Sequence, residues 1–463
     1  MTPGPSSNRT LVYASLCALL MSLDTSVNIA FPAITANFRL EVSQIQWVVV
    51  SYVLTYAGLL LGCGRMADLW GHGRVLAAGL LASAAAFLLC GVATSFGWFL
   101  AFRVLQGVGA ALVLASAPAL VTLSVPAGMR GRALGIFQMS VAVGFALGPC
   151  VGGVLVDGFG WRAVYLFRVV PALLLLFFAP RSDGRAAGSS NREPFDLTGA
   201  LTLAGSVAGY LLTLSRGRYL GWGSPSVLAL LAGSTLCLGV FVFAERRAAA
   251  PVVDLELFRR PAFSIANLLN LMSNCAMFPI WLLVPYYLVN ALGYSAIAGG
   301  VLLVPNPLGA ALAAPVAGRL SDRIGTGRLS TLGLGIEALG LWAISRLGAG
   351  SGPVSVILAL GLVGFGLGVF QVPNLSFVMG AIPRSQQGVA GGMTQMMRTL
   401  GVVIGVTAAS LLFDARRAAG SAGFQGFVPA FQDVFVAAAA VCLAAFGLSL
   451  LRGRERGPVG AEG

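Results

Sequence analysis

The sequence predicts an all-α membrane protein with fourteen transmembrane helices, arranged as two six-helix bundles with two additional helices between them. Three observations support this prediction. Hydrophobic residues make up 57% of the 463 residues and charged residues only 10%, whereas a soluble globular chain carries roughly 25% charged residues. Fourteen apolar segments are long enough to cross a bilayer, which takes about 20 residues. A charged loop motif also recurs 254 residues later in the chain.

The apolar segments define the predicted helices in order. The tenth segment is interrupted by Pro305, Pro307 and Pro315, and the seventh is rich in Gly and Thr. The fourteen segments cover residues 11–33, 46–64, 75–95, 98–123, 134–156, 163–180, 197–215, 226–244, 262–290, 297–317, 329–347, 354–377, 389–413 and 430–451.

The distribution of arginine predicts the orientation in the membrane. All 29 basic residues are arginines. With the N-terminus inside, the cytoplasmic segments hold 19 of them, the outside loops seven and the spans three. Positive residues concentrate in cytoplasmic loops, so we expect both termini in the cytoplasm. Short clusters of arginine between apolar segments are typical of loops at a membrane face. We therefore expect no nucleic-acid partner.

The repeated loop motif predicts the domain organisation. Residues 64–74 recur as residues 318–328, and each copy follows the second span of its half. A duplicated six-span bundle is a known transporter plan. The predicted organisation is an N-terminal six-helix bundle (1–180), a cytoplasmic linker (181–196), two additional transmembrane helices (197–246), a second cytoplasmic linker (247–261), a C-terminal six-helix bundle (262–451) and a cytoplasmic tail (452–463).

Ionisable residues inside the spans are candidates for proton coupling. Asp24 lies in the middle of the first span, where a charged side chain costs about 2.5–3.5 kcal/mol on insertion scales. We expect it to face the bundle interior and to bind and release a proton, the alternative being a packing hydrogen bond. Arg103 is expected to hold this proton relay, unless it snorkels to the headgroups. A charged Glu337 inside the eleventh span has the same cost. As for Asp24, the two interpretations are proton binding and a packing hydrogen bond.

The two copies of the loop motif are candidates for gating. An Asp beside a helix N-terminus and a facing Arg form a charge clamp, which closes the cytoplasmic side in one conformation. The alternative is a tight turn whose arginines only set the orientation. The candidate gating residues are Arg65, Asp68, Arg74, Asp322 and Arg323.

The fifth span has a face without side chains. Gly144, Gly148 and Gly152 recur every four residues and therefore share one helix face. Such a face lets membrane helices approach closely, and Pro149 removes a backbone hydrogen bond. We expect either ordinary helix packing or a close-packed hinge that prevents uncoupled leak.

Polar residues in several spans predict an amphipathic, mostly apolar cavity that suits a lipophilic ligand. Asn270 and Asn274 share a helix face with Asn267, although interhelical hydrogen bonding explains each Asn equally well. The candidate cavity residues are Asn28, Gln106, Asn270, Asn274, Gln371, Asn374 and Arg398.

Other chemistries have no support in the sequence. There is one histidine, and the seven cysteines lie inside apolar segments without metal-ligand spacing. No nucleotide-binding loop and no nucleophile–base pair are present. We therefore expect no metal, no cofactor and no enzymatic activity.

Several motifs occur in the order found in one transporter family. Residues 23–32, residues 64–74, the Arg103-x-x-Gln106-Gly107 pattern and residues 144–153 followed by 160–162 together resemble the major facilitator superfamily, and within it the fourteen-span drug:proton antiporters. Three positions depart from the family pattern: Leu69 and Gly73 replace usual basic residues, and Arg168 replaces a usual uncharged polar residue.

The resemblance implies a major-facilitator-type fold and a secondary active transporter of the plasma or inner membrane. Such a protein exports an amphipathic drug or antibiotic by alternating access, in exchange for protons, and we expect a monomer in the lipid bilayer. The acid of the first-span motif is implicated in proton coupling, which implies this role for Asp24. The alternatives are an exporter of an endogenous metabolite, a proton-coupled uptake symporter, and a membrane receptor that transports nothing.

Overall fold

The structure is a computed structural model that describes residues 5–125, 130–179, 197–245, 259–380, 387–419 and 426–450. Every regular element within these ranges is a helix, so the predicted all-α class is confirmed. The first linker, the tail and residues 247–258 of the second linker lie outside the described residues.

The first ten helices precede the second linker. Prolines and back-bonding Ser and Thr side chains divide some of the predicted spans. The helices are α1 (Pro5–Ser22), α2 (Ser26–Ile29), α3 (Phe31–Phe38), α4 (Gln46–Trp70), α5 (His72–Val92), α6 (Phe96–Ser124), α7 (Arg130–Phe159), α8 (Ala163–Phe177), α9 (Leu197–Leu220) and α10 (Pro225–Glu245).

Eight further helices follow. The tenth predicted span is divided at Pro305, as its prolines indicate, and a π-helical turn covers Tyr287–Ala291. The helices are α11 (Pro261–Met277), α12 (Pro279–Tyr286), α13 (Ala296–Leu303), α14 (Pro305–Ile324), α15 (Thr326–Ser345), α16 (Pro353–Gly380), α17 (Gln387–Ala419) and α18 (Phe427–Leu450).

The helices have the lengths that a membrane requires. Among the described residues, ten helical segments are long and apolar enough to cross a bilayer, and two shorter apolar helices cover Gln46–Leu60 and Ala163–Phe177. Each of the fourteen predicted segments overlaps at least one helix of the described residues. The chain is therefore a multi-pass helical protein, and the count of fourteen spans stays a prediction.

The sequence repeat is also a repeat of local structure. Gly71 and Gly325, which are 254 residues apart, each stand immediately before a helix with the same φ of 93°. A φ of this size is strained for any residue with a Cβ. Both copies of the motif therefore make the same turn, from α4 into α5 and from α14 into α15.

The chain forms two compact units. Unit 1 contains residues 1–253 and 281–304, and unit 2 contains residues 254–280 and 305–463. Unit 1 includes the two predicted additional helices (197–246) and also residues 281–304, which the prediction places in the C-terminal bundle. The physical reason for the placement of residues 281–304 is a close contact of α13 with α7, described below. The predicted domain boundaries otherwise stay a proposal.

Candidate functional site

A break in the first span positions Asp24 in unit 1. Between α1 and α2 the chain makes a 3₁₀ turn, Leu23–Thr25. The hydroxyl of Ser22 donates to the Ala18 carbonyl at 2.9 Å, and that of Thr25 donates to the Ser22 carbonyl at 3.2 Å. Hydroxyls that bond back to the preceding turn distort helices. The polar residues flanking Asp24 thus explain why the helix is irregular at the carboxylate.

Helix α6 brings Arg103 and Gln106 to Asp24. The Arg103 guanidinium binds both carboxylate oxygens, with N–O distances of 3.0 and 3.1 Å. The Gln106 amide donates to Oδ1 at 2.7 Å and accepts from Arg103 at 2.7 Å. Arg103 is 2% exposed, so it does not snorkel to the headgroups. The spacing of three residues puts both side chains on one helix face.

Helix α8 adds a second arginine that the sequence indicated only as a departure from the family pattern. Arg168 Nη1 donates to Asp24 Oδ1 at 2.8 Å. Its Nε donates to the Val164 carbonyl, and its Nη2 is buried without a hydrogen-bond partner in the part of the chain that the structure describes. The sequence signal for Arg168 is its charge inside the sixth predicted span, where charged residues are costly.

The cluster carries more positive than negative charge. It contains two guanidinium groups and one carboxylate, and Arg103 and Arg168 are 2% and 0% exposed. Aromatic rings cover the guanidinium groups. The centre of the Tyr52 ring lies 4.5 Å from Arg103 Cζ, and the centre of the Phe87 ring lies 4.5 Å from Arg168 Cζ. Cation–π contacts contribute about 2 kcal/mol or more when desolvated. These rings offset part of the cost of burying the excess charge.

The glycine face of α7 packs against the helix break at Asp24. A Cβ added at Gly144 would lie 2.7 Å from the Leu19 carbonyl oxygen, and one at Gly148 would overlap the Thr25 hydroxyl. Thr25 also donates to the Phe145 carbonyl of α7 at 3.3 Å. The absence of side chains on this face therefore lets α7 approach the backbone around Asp24.

Helix α7 also holds α13 within unit 1. A Cβ at Gly153 would collide with the Ala296 carbonyl, and one at Gly300 with the Pro149 carbonyl. The Asp157 carboxylate accepts from the backbone N–H groups of Ala296 at 3.0 Å and Ile297 at 2.8 Å. A carboxylate at a helix N-terminus satisfies unpaired donors and the helix dipole. Asp157 is a contact that the sequence interpretation did not include.

Removing the Asp157 carboxylate is expected to loosen α13 from α7. Asp157→Ala deletes both acceptors, and loss of a helix cap costs about 0.5–2 kcal/mol. The measurements are thermal unfolding in detergent and amide hydrogen exchange in residues 296–303, which we expect to speed up. Asp433→Ala is the control, because that acid and its partner Arg416 are exposed and such pairs contribute about 0–1 kcal/mol. Equal effects of both variants would contradict the cap.

Unit 2 contains a buried acid, Glu337 on α15. Glu337 is 0% exposed. The Ser273 hydroxyl of α11 lies 3.1 and 2.8 Å from its two carboxylate oxygens. Glu337 forms no ion pair within the described ranges. The structure thus separates the two candidate acids into different units with different partners.

Two of the candidate cavity amides of unit 2 bind neighbouring helices, and a third binds within its own helix. Asn270 donates to the Thr394 carbonyl of α17 at 2.9 Å, and Asn374 donates to the Ala266 carbonyl of α11 at 3.1 Å. Asn274 donates to the carbonyl and side-chain oxygens of Asn270. Hydrogen bonds to other helices therefore engage Asn270 and Asn374 in this conformation, and hydrogen bonds within α11 engage Asn274.

The remaining cavity candidates are half-buried. Gln371 and Arg398 are half-buried in unit 2, and Asn28 is half-buried on α2 of unit 1. The Gln371 amide nitrogen has no partner in the described part of the chain.

The gating candidates are only partly described. Arg74 and Arg323 are exposed at the two repeated loops. The side chains of Arg65, Asp68 and Asp322 lie outside the described residues, although their backbone is helical.

The cysteines are free thiols. All seven are unpaired, and four of them are buried. Across the described ranges no three His, Cys, Asp or Glu side chains come together as a metal site.

The chain matches one family model and several known proteins in sequence. The model of the Major Facilitator Superfamily matches residues 14–406 and 265–461. The cephamycin export protein CmcT of Amycolatopsis lactamdurans is 34% identical over 402 residues, which cover 86% of this chain and 83% of CmcT. The tetracenomycin C resistance and export protein of Streptomyces glaucescens is 30% identical, covering 88% and 76%. The riboflavin transporter RibZ of Clostridioides difficile (strain 630) is 28% identical, covering 87% of both chains.

Solved structures share the fold at lower identity. A peptide transporter POT in complex with sulfate has a TM-score of 0.70 at 17% identity, covering 96% of this chain and 94% of that chain. The nucleoside transporter NupG has a TM-score of 0.69 at 13% identity, covering 96% and 100%.

Proposed function

Because this chain belongs to the Major Facilitator Superfamily and is a membrane transporter of small molecules rather than an enzyme, we propose that it exports an amphipathic drug or antibiotic in exchange for protons. It does so by alternating access in the plasma or inner membrane. The export proteins for cephamycin and tetracenomycin C among its relatives support this direction of transport.

The cluster of Asp24, Arg103 and Arg168 carries the proposal of proton coupling. Both Asp24 oxygens accept from guanidinium groups, so this conformation holds the ionised carboxylate. Ionisable residues inside membrane spans are costly and mark ion pathways and proton relays. No packing requirement explains three such residues in one place, because apolar side chains fill membrane interiors without this cost.

A proton on Asp24 acts by releasing the arginines. Protonation neutralises the carboxylate, and the pairing with α6 and α8 then loses its charge-assisted strength. The broken segment between α1 and α2 becomes free to move relative to these helices. Loss of the proton restores the ion pairs. Proton binding is thereby linked to a change between two arrangements of unit 1.

The proposed gates lie at two places. The close-packed face of Gly144, Gly148, Pro149 and Gly152 prevents uncoupled leak, because a rigid contact between α7 and the Asp24 region leaves no room for a solvent path. The cytoplasmic gate uses the charged groups of the repeated loops: Arg65, Asp68, Arg74, Asp322 and Arg323.

The remaining features of the proposed exporter follow its sequence pattern. It is a monomeric fourteen-span protein with both termini in the cytoplasm. The candidate substrate-contacting residues are Asn28 and Gln106 in unit 1, and Asn270, Asn274, Gln371, Asn374 and Arg398 in unit 2.

A second candidate function is transport of an endogenous metabolite. The riboflavin transporter among the relatives supports it, since that protein is named for a vitamin and not for a drug. The same residues serve both functions, and only the substrate differs.

Reconstituted protein tests the proposed exchange directly. We expect substrate added to proteoliposomes that contain a pH-sensitive dye to cause proton flux in the direction opposite to its own movement. The flux should disappear in liposomes without protein. A substrate that moves with protons in the same direction would indicate a symporter, and substrate movement without proton flux would contradict coupling.

A further inference from the structure

We infer that Glu337 is a second proton-binding site, located in unit 2 and separate from the Asp24 cluster. The inference rests on the proposed proton exchange and names a further group that takes part in it. It is carried by the surroundings of Glu337 and by a comparison of the two repeats.

Among the described residues, the surroundings of Glu337 contain no compensating charge. Ser273 faces it from α11, the backbone of Gly366 faces it from α16, and the thiol of Cys442 lies nearby on α18. Neither these helices nor α14 provides an ion-pair partner in the described part of the chain. The Cys442 thiol donates to the Leu334 carbonyl at 3.4 Å, so it does not bind the carboxylate.

An ionised Glu337 would be a buried charge without a partner. Such a charge is far more costly than a neutral carboxyl group, and a buried acid becomes neutral by binding a proton. One hydroxyl, that of Ser273, is enough to hydrogen-bond a neutral carboxyl group. Asp24 is the opposite case, because two arginines stabilise its charge. In this conformation Glu337 is thus neutral, whereas Asp24 is ionised.

The first repeat contains the same helix crossing without an acid. Glu337 and Ser83 are 254 residues apart, as are Gly333 and Gly79. A Cβ at Gly109 of α6 would lie 2.8 Å from the Ser83 nitrogen, and one at Gly366 of α16 would collide with the Glu337 nitrogen.

The contacts of the neighbouring glycines match as well. A Cβ at Gly79 would lie 2.9 Å from the Val113 nitrogen, and one at Gly333 would lie 2.8 Å from the Phe370 Cα. Val113 and Phe370 have the same separation, 257 residues, as Gly109 and Gly366. The α5–α6 crossing and the α15–α16 crossing are therefore equivalent, and a serine satisfies the packing in unit 1. A carboxyl group at this place is not needed for the fold.

The proton step at Glu337 needs no other reactant. A proton from water adds to one carboxylate oxygen and gives the neutral acid. When the helices around α15 rearrange and admit water or a charged group, the O–H bond breaks and the proton returns to the solvent. Glu337 then differs between two conformations by one bound proton, which is the requirement for coupling.

Infrared difference spectroscopy of the detergent-purified protein tests the bound proton without any transport assay. We expect the carbonyl band of a buried protonated carboxyl group in the wild type and its loss in Glu337→Gln. Ser273→Ala keeps the acid and removes its hydrogen bond, and is expected to shift the band. Asp433→Asn, at an exposed acid, should leave the band unchanged. A band that persists unaltered in Glu337→Gln would overturn the inference.

Transport measurements distinguish a coupling role of Glu337 from a structural role. We expect Glu337→Gln and Glu337→Ser, the latter with the residue of the equivalent crossing, to retain substrate exchange between the two sides of proteoliposomes. We expect both to lose substrate-driven proton flux at least in part. Unchanged proton flux per substrate in these variants would overturn the proton site while leaving the exporter proposal intact.

The two proposals fail in different ways. Absence of proton flux in the wild type would contradict the proposed exchange, whatever Glu337 does. If both Glu337 variants fail to fold, the Ser273→Ala spectrum decides, because an unshifted band there would show that Glu337 is not the protonated group.

Discussion

Asp24→Asn is expected to abolish substrate-driven proton flux and to destabilise the protein. The substitution removes the single negative charge that lies between Arg103 and Arg168, which are almost fully buried. Breaking a buried ion pair by removing one partner costs about 3–5 kcal/mol, because the other charge is left uncompensated. Flux is measured in proteoliposomes with an internal pH dye, and stability by thermal unfolding in detergent.

A double substitution separates the two effects. Asp24→Asn combined with Arg168→Asn removes one charge of each sign, so the cluster keeps the same net charge as in the wild type. We expect this variant to recover stability without recovering proton flux. Arg168→Asn alone keeps the Asp24–Arg103 pair, so its stability and its proton flux should change only mildly. Efflux by Asp24→Asn at the wild-type rate, in membranes with an intact proton gradient, would refute the coupling role.

Gly152→Ala is expected to be a strongly damaging single-methyl change on α7. The new Cβ would collide with the Ser26 carbonyl oxygen and would lie 2.8 Å from Ile29 Cγ2. Backbone atoms cannot rotate away, and overpacking costs about 1–3 kcal/mol. Gly158→Ala on the same helix is the matched control, because no atom lies within 4 Å of its Cβ.

The two glycine variants are expected to change the unfolding temperature in opposite directions. Replacing an unconstrained helical glycine by alanine stabilises by up to about 1 kcal/mol, so Gly158→Ala should raise the unfolding temperature slightly. Gly152→Ala should lower it and reduce transport. Unfolding temperatures that change in the same direction and by the same amount would show that α7 does not rely on a bare face.

The main features of the fold could be predicted from the sequence because the bilayer restricts the choices. Apolar segments of sufficient length must form helices in a membrane, and each predicted segment overlaps at least one helix of the described residues. The repeat of residues 64–74 at 318–328 likewise predicted two equivalent turns, and Gly71 and Gly325 adopt the same φ. These features depend on local composition and spacing, which a sequence shows directly.

Part of the candidate site could also be predicted. Asp24, Arg103 and Gln106 were identified because charged and amide groups are costly in a span, and the structure brings them together. Asp157 was not identified, since its position near the end of the fifth span is ordinary for an acid. Its role depends on the N-terminus of α13, which is 139 residues away.

The sequence by itself determined the helical class, the position of the costly ionisable residues and the internal repeat, because each follows from hydrophobicity and periodicity along the chain. Only the tertiary structure decided which charges meet. Arg168 completes the Asp24 cluster from 144 residues away, whereas Glu337 has a hydroxyl as its partner and no arginine among the described residues. The state of a buried acid depends on the charges beside it in space, and the spacing of residues along the chain does not contain that information.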